Sequence, residues 1–198
     1  MDHKLSGIEL ICFDLFGTLV EIREPRWPHR MLLQAIPGAD KHQLRRTLLT
    51  RAIPLEQVPS ALGISMPSET LSAAQEALSH ELASIRVRDG VSAMLASLPV
   101  PYAVCSNLSV HYAPALNMHH ALSPTFSVMS FEVGYVKPDP EIYGIVLSRA
   151  GLTPDQVLFV GDTPAADIEG PRQAGMRAMH IDDFLPSTRT LLSMPQAD

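Results

Sequence analysis

The stretch IELICFDLFGTLV, residues 8–20, decides how the chain is read. Its first six residues are nearly all apolar and rich in β-formers, the pattern of a strand buried on both faces. The run ends in Asp14, and a Gly17-Thr18 turn follows. Four more short apolar runs lie downstream: YAVCS at 102–106, FSVMS at 126–130, VLFVG at 157–161 and RAMHI at 177–181. Helix-length segments separate the later ones. The alternation predicts an α/β fold, a doubly wound parallel sheet with crossover helices.

The helices have their own signals. In KPDPEIYGIVLSRAG, Asp139 stands at an N-cap, Pro140 takes the first helical position and Gly151 supplies the stop. Thr153 and Gln156 have the spacing of a capping box. Val91, Met94, Leu95 and Leu98 share one helical face. Pro171 must start a helix or kink one.

Residues 21–88 break the alternation and are too long for a loop in a compact domain. Leu71, Ala74, Leu78, Leu82 and Ile85 recur at spacings of three and four, which predicts an amphipathic helix. Residues 29–36 and 41–52 also read as helical. The organisation expected is a core domain of residues 1–20 and 89–198, with a small helical domain of residues 21–88 inserted after the first strand.

Bulk composition narrows the function. Of 198 residues, 46% are hydrophobic and 18% charged, so the chain folds and is not disordered. A net charge of −6 argues against nucleic acid as partner, although Arg45, Arg46 and Arg51 cluster. No signal peptide is visible, since Glu9 and Asp14 interrupt the first apolar run. No apolar run approaches a membrane span. Cys12 and Cys105 each fall inside a predicted strand without a C-x-x-C partner, which suggests buried thiols in a reducing compartment. A cytoplasmic protein acting on a small molecule is expected.

The residues that carry chemistry fall at strand ends. Asp14 closes the first strand. Ser106 and Asn107 close the second, in VCSNLS. Lys137 precedes a turn in GYVKPDPEIY. Asp162 and Asp167 follow the fourth strand, in VLFVGDTPAADIEG. In open parallel sheets, sites lie at the carboxyl ends of strands, so the four features are expected to converge. A strand-end carboxylate can act as a nucleophile. Hydroxyls and backbone amides can hold the oxygens of an anionic substrate. Lys137 can neutralise charge that builds in the transition state. Asp162 beside Asp14 would repel it by roughly 4 kcal/mol at ~4 Å and an effective dielectric near 20. A hard cation removes that repulsion, and oxygen-only ligands point to Mg²⁺.

FDLFGTLV, VCSN, the Lys-Pro-Asp-Pro turn and GDTPAAD resemble, in order, the four motifs of the haloacid dehalogenase superfamily. The resemblance covers roughly residues 5–20 and 89–183, and residues 21–88 occupy the place of that family's helical cap. It implies a Rossmann-like core and a role for each matching position. Asp14 would be nucleophile and metal ligand, and Lys137 would bridge it to the transferred group. Thr18, Ser106 and Asn107 would contact that group. The backbone carbonyl of Phe16, with Asp162 and Asp167, would complete the metal ligands.

One position departs from the pattern. Phosphatases of this superfamily carry a second Asp two residues after the nucleophile, where it acts as general acid and base. Here the residue is Phe16. Loss of such help costs about 10²–10⁴-fold, so an alkyl phosphate would be a poor substrate, and an acyl or aryl phosphate a better one. An aromatic at this place resembles the 2-haloacid dehalogenase branch, whose halide leaves without a proton. That branch uses no metal, has an Asp where this chain has Ala166, and needs a cap arginine, for which Arg26, Arg30, Arg45, Arg46 and Arg51 are candidates. The fourth motif weighs more, because a second acid implies a cation while an apolar side chain only removes a function. The expected activity is Mg²⁺-dependent hydrolysis of a small phosphorylated metabolite. The alternatives are a metal-independent dehalogenase and a catalytically silent phosphate- and metal-binding protein.

Several of these residues also have plainer readings. Thr163 would cap the helix that Pro164 starts. Asp167 could be a solvated acid favoured by a helix dipole. Trp27 reads as ordinary cap packing. His119 and His120 read as surface residues, and His111 lies close enough to the second motif to reach the site.

Overall fold

The computed structural model describes residues 5–36, 40–117 and 122–185. Strand β1 (Leu10–Phe13) leads to β2 (Val20–Ile22), which pairs antiparallel with β3 (Ile85–Val87). Strands β4 (Tyr102–Ser106), β5 (Ser127–Met129), β6 (Val157–Gly161) and β7 (Arg177–His180) join β1 in a sheet of order β5-β4-β1-β6-β7. Every pairing in this sheet is parallel. The five apolar runs thus become the five strands, three of them trimmed at their ends.

The inserted segment contains α1 (Pro28–Gln34), α2 (Lys41–Thr50), α3 (Val58–Ala61) and α4 (Ser68–Ser84). Leu32, Leu48, Ile53, Leu55, Val58 and Ala74 form an apolar cluster of their own. Asp40 caps α2 by accepting from the amides of His42 at 2.9 Å and Gln43 at 3.1 Å. The segment is not purely helical. Its two ends pair as the β2–β3 ribbon, in the register Val20 with Val87 and Ile22 with Ile85. Ile85, expected to end the long helix, begins a strand instead, because its partner lies more than sixty residues back in the chain.

The core helices are α5 (Val91–Ala96), α6 (Pro114–Asn117), α7 (Ser130–Val133), α8 (Pro140–Ala150) and α9 (Gly170–Gln173). Pro171 sits in the first turn of α9, where its missing N–H costs nothing. The Thr153–Gln156 capping box is present. Asp139 stands at the N-cap of α8 but makes no capping bond from its side chain. Among the described residues, no helix is long and apolar enough to cross a membrane. His119 and His120 lie outside the described residues.

The central strands are buried on both faces, so their side chains divide between two cores. Ile11, Phe13, Val104, Leu158 and Val160 face one core, with Val91 and Met94 of α5. Leu10, Cys12, Ala103, Cys105, Val157 and Phe159 face the other, with Ile142, Tyr143 and Val146 of α8. This is the doubly wound architecture read from the sequence. The two cysteines are unpaired and buried, and burial pushes the Cys12 thiol well above its ordinary value.

The chain runs from β1 outward through β4 and β5, then returns to the other side of β1 with β6 and β7. The order therefore reverses between β1 and β6. The crevice at such a reversal, beyond the carboxyl ends of the strands, is where ligands bind in open sheets.

Candidate active site

Three carboxylates meet where the strand order reverses. Asp14 follows β1, Asp162 follows β6, and Asp167 lies on a π-helical stretch, Pro164–Glu169, just beyond. One oxygen from each lies within 4.8 Å of the others. The Asp14 amide donates to the Val160 carbonyl at 2.9 Å, which fixes β1 against β6 at this point.

Two glycines make the approach possible. A Cβ on Gly17 would lie 2.1 Å from Asp162 Oδ2, and one on Gly161 would lie 2.4 Å from Asp167 Cγ. Gly17 also holds φ at +83°, a conformation L side chains rarely adopt. It closes the turn after Asp14 by donating to the Val20 carbonyl at 2.8 Å. Its own carbonyl accepts a hydrogen bond from Arg88, just beyond β3.

Lys137 is buried among these carboxylates. Its Nζ donates to Asp14 Oδ1 and to Asp167 Oδ1, each at 2.7 Å. Burial pulls its pKa down, but the Asp14 and Asp167 carboxylates outweigh it and hold the ammonium above its ordinary value. Asp14 moves the same way for a different reason. Burial raises its pKa, and nearby Asp167 adds to that, against the lowering effect of Lys137. One ammonium therefore faces three carboxylates. Such a cluster favours a further cation.

Asp167 is 1% exposed, which corrects its reading as a solvated acid. Its Oδ2 accepts from the amides of Asp162 at 3.1 Å and Thr163 at 2.9 Å. It does the capping that Thr163, whose side chain makes no such bond, was expected to do. Asn107 clasps the loop that carries Lys137: its Nδ2 donates to the Lys137 carbonyl at 2.8 Å, and its Oδ1 accepts from the Lys137 amide at 2.6 Å. Ser106 is buried at the end of β4, and Thr18 is fully buried with a hydroxyl that has no hydrogen-bond partner.

Phe16 is half-buried, and its ring meets Tyr112 edge-on at 5.7 Å. Tyr112 meets His29 of α1 in the same way at 5.6 Å. His29 Nε2 and His111 Nδ1 are 2.9 Å apart, with Ser109 Oγ 3.3 Å from both. Arg46 of α2 holds Asp139 through two bonds, at 3.2 and 2.5 Å. Burial raises the Asp139 pKa, but the Arg46 bond, the Val136 amide bond and the Arg46 charge together outweigh it and hold the group below its ordinary value. Trp27 is 61% exposed and so is not packed within the cap.

These cap-to-core contacts leave little trace in the sequence. Tyr112 and His29 belong to no motif, and each looks like an ordinary residue of its own segment. The closeness of His111 to the second motif is the one signal the sequence carries.

The half-buried His29 imidazole carries a stability prediction. Burial, then repulsion from His111 and Arg45, lowers His29 from its ordinary 6.5 to about 4. Between those values it is neutral in the fold and binds a proton on unfolding. Its contribution is whole above pH 6.5 and is lost as pH falls towards 4, by roughly 2–3 kcal/mol. Urea midpoints at pH 7, 5.5 and 4.5 are expected to fall less steeply for His29→Asn than for the parent. Identical slopes would refute the assignment.

The family model of haloacid dehalogenase-like hydrolases matches residues 8–175. The chain belongs to this family. It is therefore a hydrolase, and its carboxylate cluster lies within the matched residues. N-acetylmuramic acid 6-phosphate phosphatase of Pseudomonas aeruginosa is 28% identical over 191 residues, covering 90% of this chain and 83% of that protein. Phosphoserine phosphatase of Thermus thermophilus is 42% identical over only 55 residues, so the chain matches 22% of that relative's length. Among solved structures, a 2-haloacid dehalogenase of Pseudomonas syringae superposes with a TM-score of 0.56 at 24% identity, covering 86% of this chain and 85% of that one. A family enzyme of Bacteroides thetaiotaomicron, complexed with magnesium and inorganic phosphate, superposes with a TM-score of 0.62 at 15% identity, covering 87% and 93%. At these identities the structural likenesses establish the fold alone.

Proposed function

We propose that this protein is a Mg²⁺-dependent phosphatase of small phosphorylated metabolites, restricted to substrates with good leaving groups. The observation that carries the proposal is the meeting of Asp14, Asp162 and Asp167 within 4.8 Å around a single buried lysine. The donors are all oxygens, as a hard cation requires, and the orphaned Thr18 hydroxyl is a buried group in need of a partner. Asp14, Asp162 and Asp167, with the Phe16 carbonyl, are the residues proposed to hold the cation. When bound, it offsets the carboxylate charge and polarises the phosphoryl oxygens.

The chain's own residues then have distinct tasks. Asp14 attacks phosphorus and forms an aspartyl phosphate. Lys137 Nζ, already bonded to Asp14, neutralises charge gathering on the transferred group. Thr18 and Ser106 supply hydroxyls to the phosphoryl oxygens, and Asn107 keeps the Lys137 loop in place. Phe16 can neither protonate the departing oxygen nor activate the water that cleaves the intermediate. Acyl and aryl phosphates, whose leaving groups are stable anions, are accordingly the preferred substrates. Residues 21–88 are proposed as the cap domain that selects the leaving group, with residues 1–20 and 89–198 as the core. The nearly full-length similarity to an N-acetylmuramic acid 6-phosphate phosphatase supports phosphate hydrolysis as the reaction; that relative is named for an alkyl phosphate, so the preference for acyl and aryl phosphates rests on Phe16 alone.

Phe16 favours a second reading, a metal-independent dehalogenase. Arg46, one of its cap arginine candidates, is engaged by Asp139. One experiment separates the two. Acetyl phosphate and p-nitrophenyl phosphate should turn over with Mg²⁺ and stop in EDTA, and 2-chloropropionate should release no chloride. Chloride release that persists in EDTA would replace the phosphatase reading with the dehalogenase one. Mg²⁺ and phosphate binding without turnover of any phosphate would mark a silent binding protein.

A further inference from the structure

Glu81, in α4, is 2% exposed. Among the described residues it is the one buried carboxylate outside the catalytic cluster, and no lysine or arginine side chain pairs with it there. A buried carboxylate is tolerated only when donors satisfy it. Its Oε1 accepts from the amides of Arg26 and Trp27, both at 2.6 Å, and its Oε2 accepts from the Tyr112 hydroxyl. Burial, with that bond to Glu81, raises the Tyr112 phenol above its ordinary value.

The three donors come from two separate parts of the chain. Arg26 and Trp27 are the entry to cap helix α1. Trp27 is the one non-glycine residue with positive φ among the described residues, at 59°. A non-glycine residue holds that conformation only where its surroundings impose it. Tyr112 belongs to the core loop after β4. Its ring lies edge-on to Phe16, two residues from the nucleophile, and edge-on to His29 of the cap.

We infer that Glu81 is a positioning residue: by clamping the Arg26–Trp27 entry of the cap and the Tyr112 hydroxyl together, it sets how closely the cap lies over Phe16 and so which leaving groups are accepted. This rests on the phosphatase reading for its substrate readout but not for its structural one. Tyr112 transmits the position, since its side chain touches Glu81, the cap imidazole and the ring at position 16.

The test uses Glu81→Ala, Glu81→Gln and Tyr112→Phe, with two readouts. The first is kcat and KM for a small leaving group, acetyl phosphate, and a bulky one, p-nitrophenyl phosphate. Glu81→Ala and Tyr112→Phe are expected to change the ratio of the two kcat/KM values by about tenfold or more. Glu81→Gln, which still accepts the two amide bonds and can donate to the Tyr112 oxygen, should stay within about threefold of the parent. The second readout is the fluorescence anisotropy of Trp27, the only tryptophan. It should drop in Glu81→Ala, where the amides are released, and hold in Tyr112→Phe, where they are not. Equal loss on both substrates in every variant would mean a merely structural residue and overturn the inference. If Glu81→Ala does not fold, Tyr112→Phe decides the first readout and Glu81→Gln the second, by keeping the parent anisotropy. If the parent hydrolyses neither phosphate, the phosphatase reading fails, while unchanged anisotropy in Glu81→Ala would by itself overturn the clamp.

Discussion

Asp14→Asn is expected to remove at least about 10⁴-fold of the turnover while leaving the fold as stable as before, or more so. The first half follows from chemistry. An amide does not attack phosphorus, and no other carboxylate occupies the end of β1. Asp162 and Asp167 stand beside it, but Asp167 is fixed by Lys137 and two backbone amides and has no freedom to replace it. The second half follows from the charge count. Three carboxylates face one ammonium, and burial already raises Asp14 above its ordinary value. Removing one charge leaves a Lys137–Asp167 pair that is satisfied, and the substituted amide can still accept from Lys137 through its carbonyl oxygen. Thermal melts without metal should therefore show an equal or higher midpoint in the variant. Added Mg²⁺ should raise the midpoint of the parent by mass action and that of the variant less. Turnover retained by Asp14→Asn would end the assignment of Asp14 as nucleophile.

Asp14 and Asp162 are legible because each directly follows a short apolar run, and the runs announce themselves as strands. The doubly wound sheet then places their carboxyl ends side by side. What the sequence does not disclose are contacts between segments far apart in the chain. Val20–Ile22 and Ile85–Val87 are three residues each, too short for a period-2 pattern, and they become a ribbon only by meeting. The burial of Asp167 depends on a π-helical stretch that brings it under Lys137, and no local pattern predicts that geometry. Glu81 looks like the solvated face of an amphipathic helix. Its carboxylate is buried because the cap entry and Tyr112 bring donors to it. Asp139 keeps its N-cap position, but its side chain turns to Arg46 and the Val136 amide.

Phe16→Asp is the complementary change, a gain in place of a loss. It should raise kcat/KM for an alkyl phosphate such as glycerol phosphate by about 10²–10⁴-fold, the ordinary worth of a general acid and base. Acetyl phosphate should gain much less in the step that expels its leaving group. The backbone at this position does not depend on the ring. Gly17 sets the turn with its positive φ, its amide bonds to Val20, and residue 16 bridges to Val20 through the backbone. The substitution gives up the edge-on contact with Tyr112, worth about 0.5–1.5 kcal/mol, which a folded domain tolerates. Tyr112 itself stays in place, because its hydroxyl is held by Glu81. The new carboxylate thus enters a site whose proposed nucleophile, Asp14, is already set beside Lys137, Asp162 and Asp167, and only the proton-transfer group is added. If the folded variant, with Mg²⁺ present, gains nothing on alkyl phosphates, then Phe16 is not what restricts the reaction, and the restriction must lie in how the cap admits the leaving group.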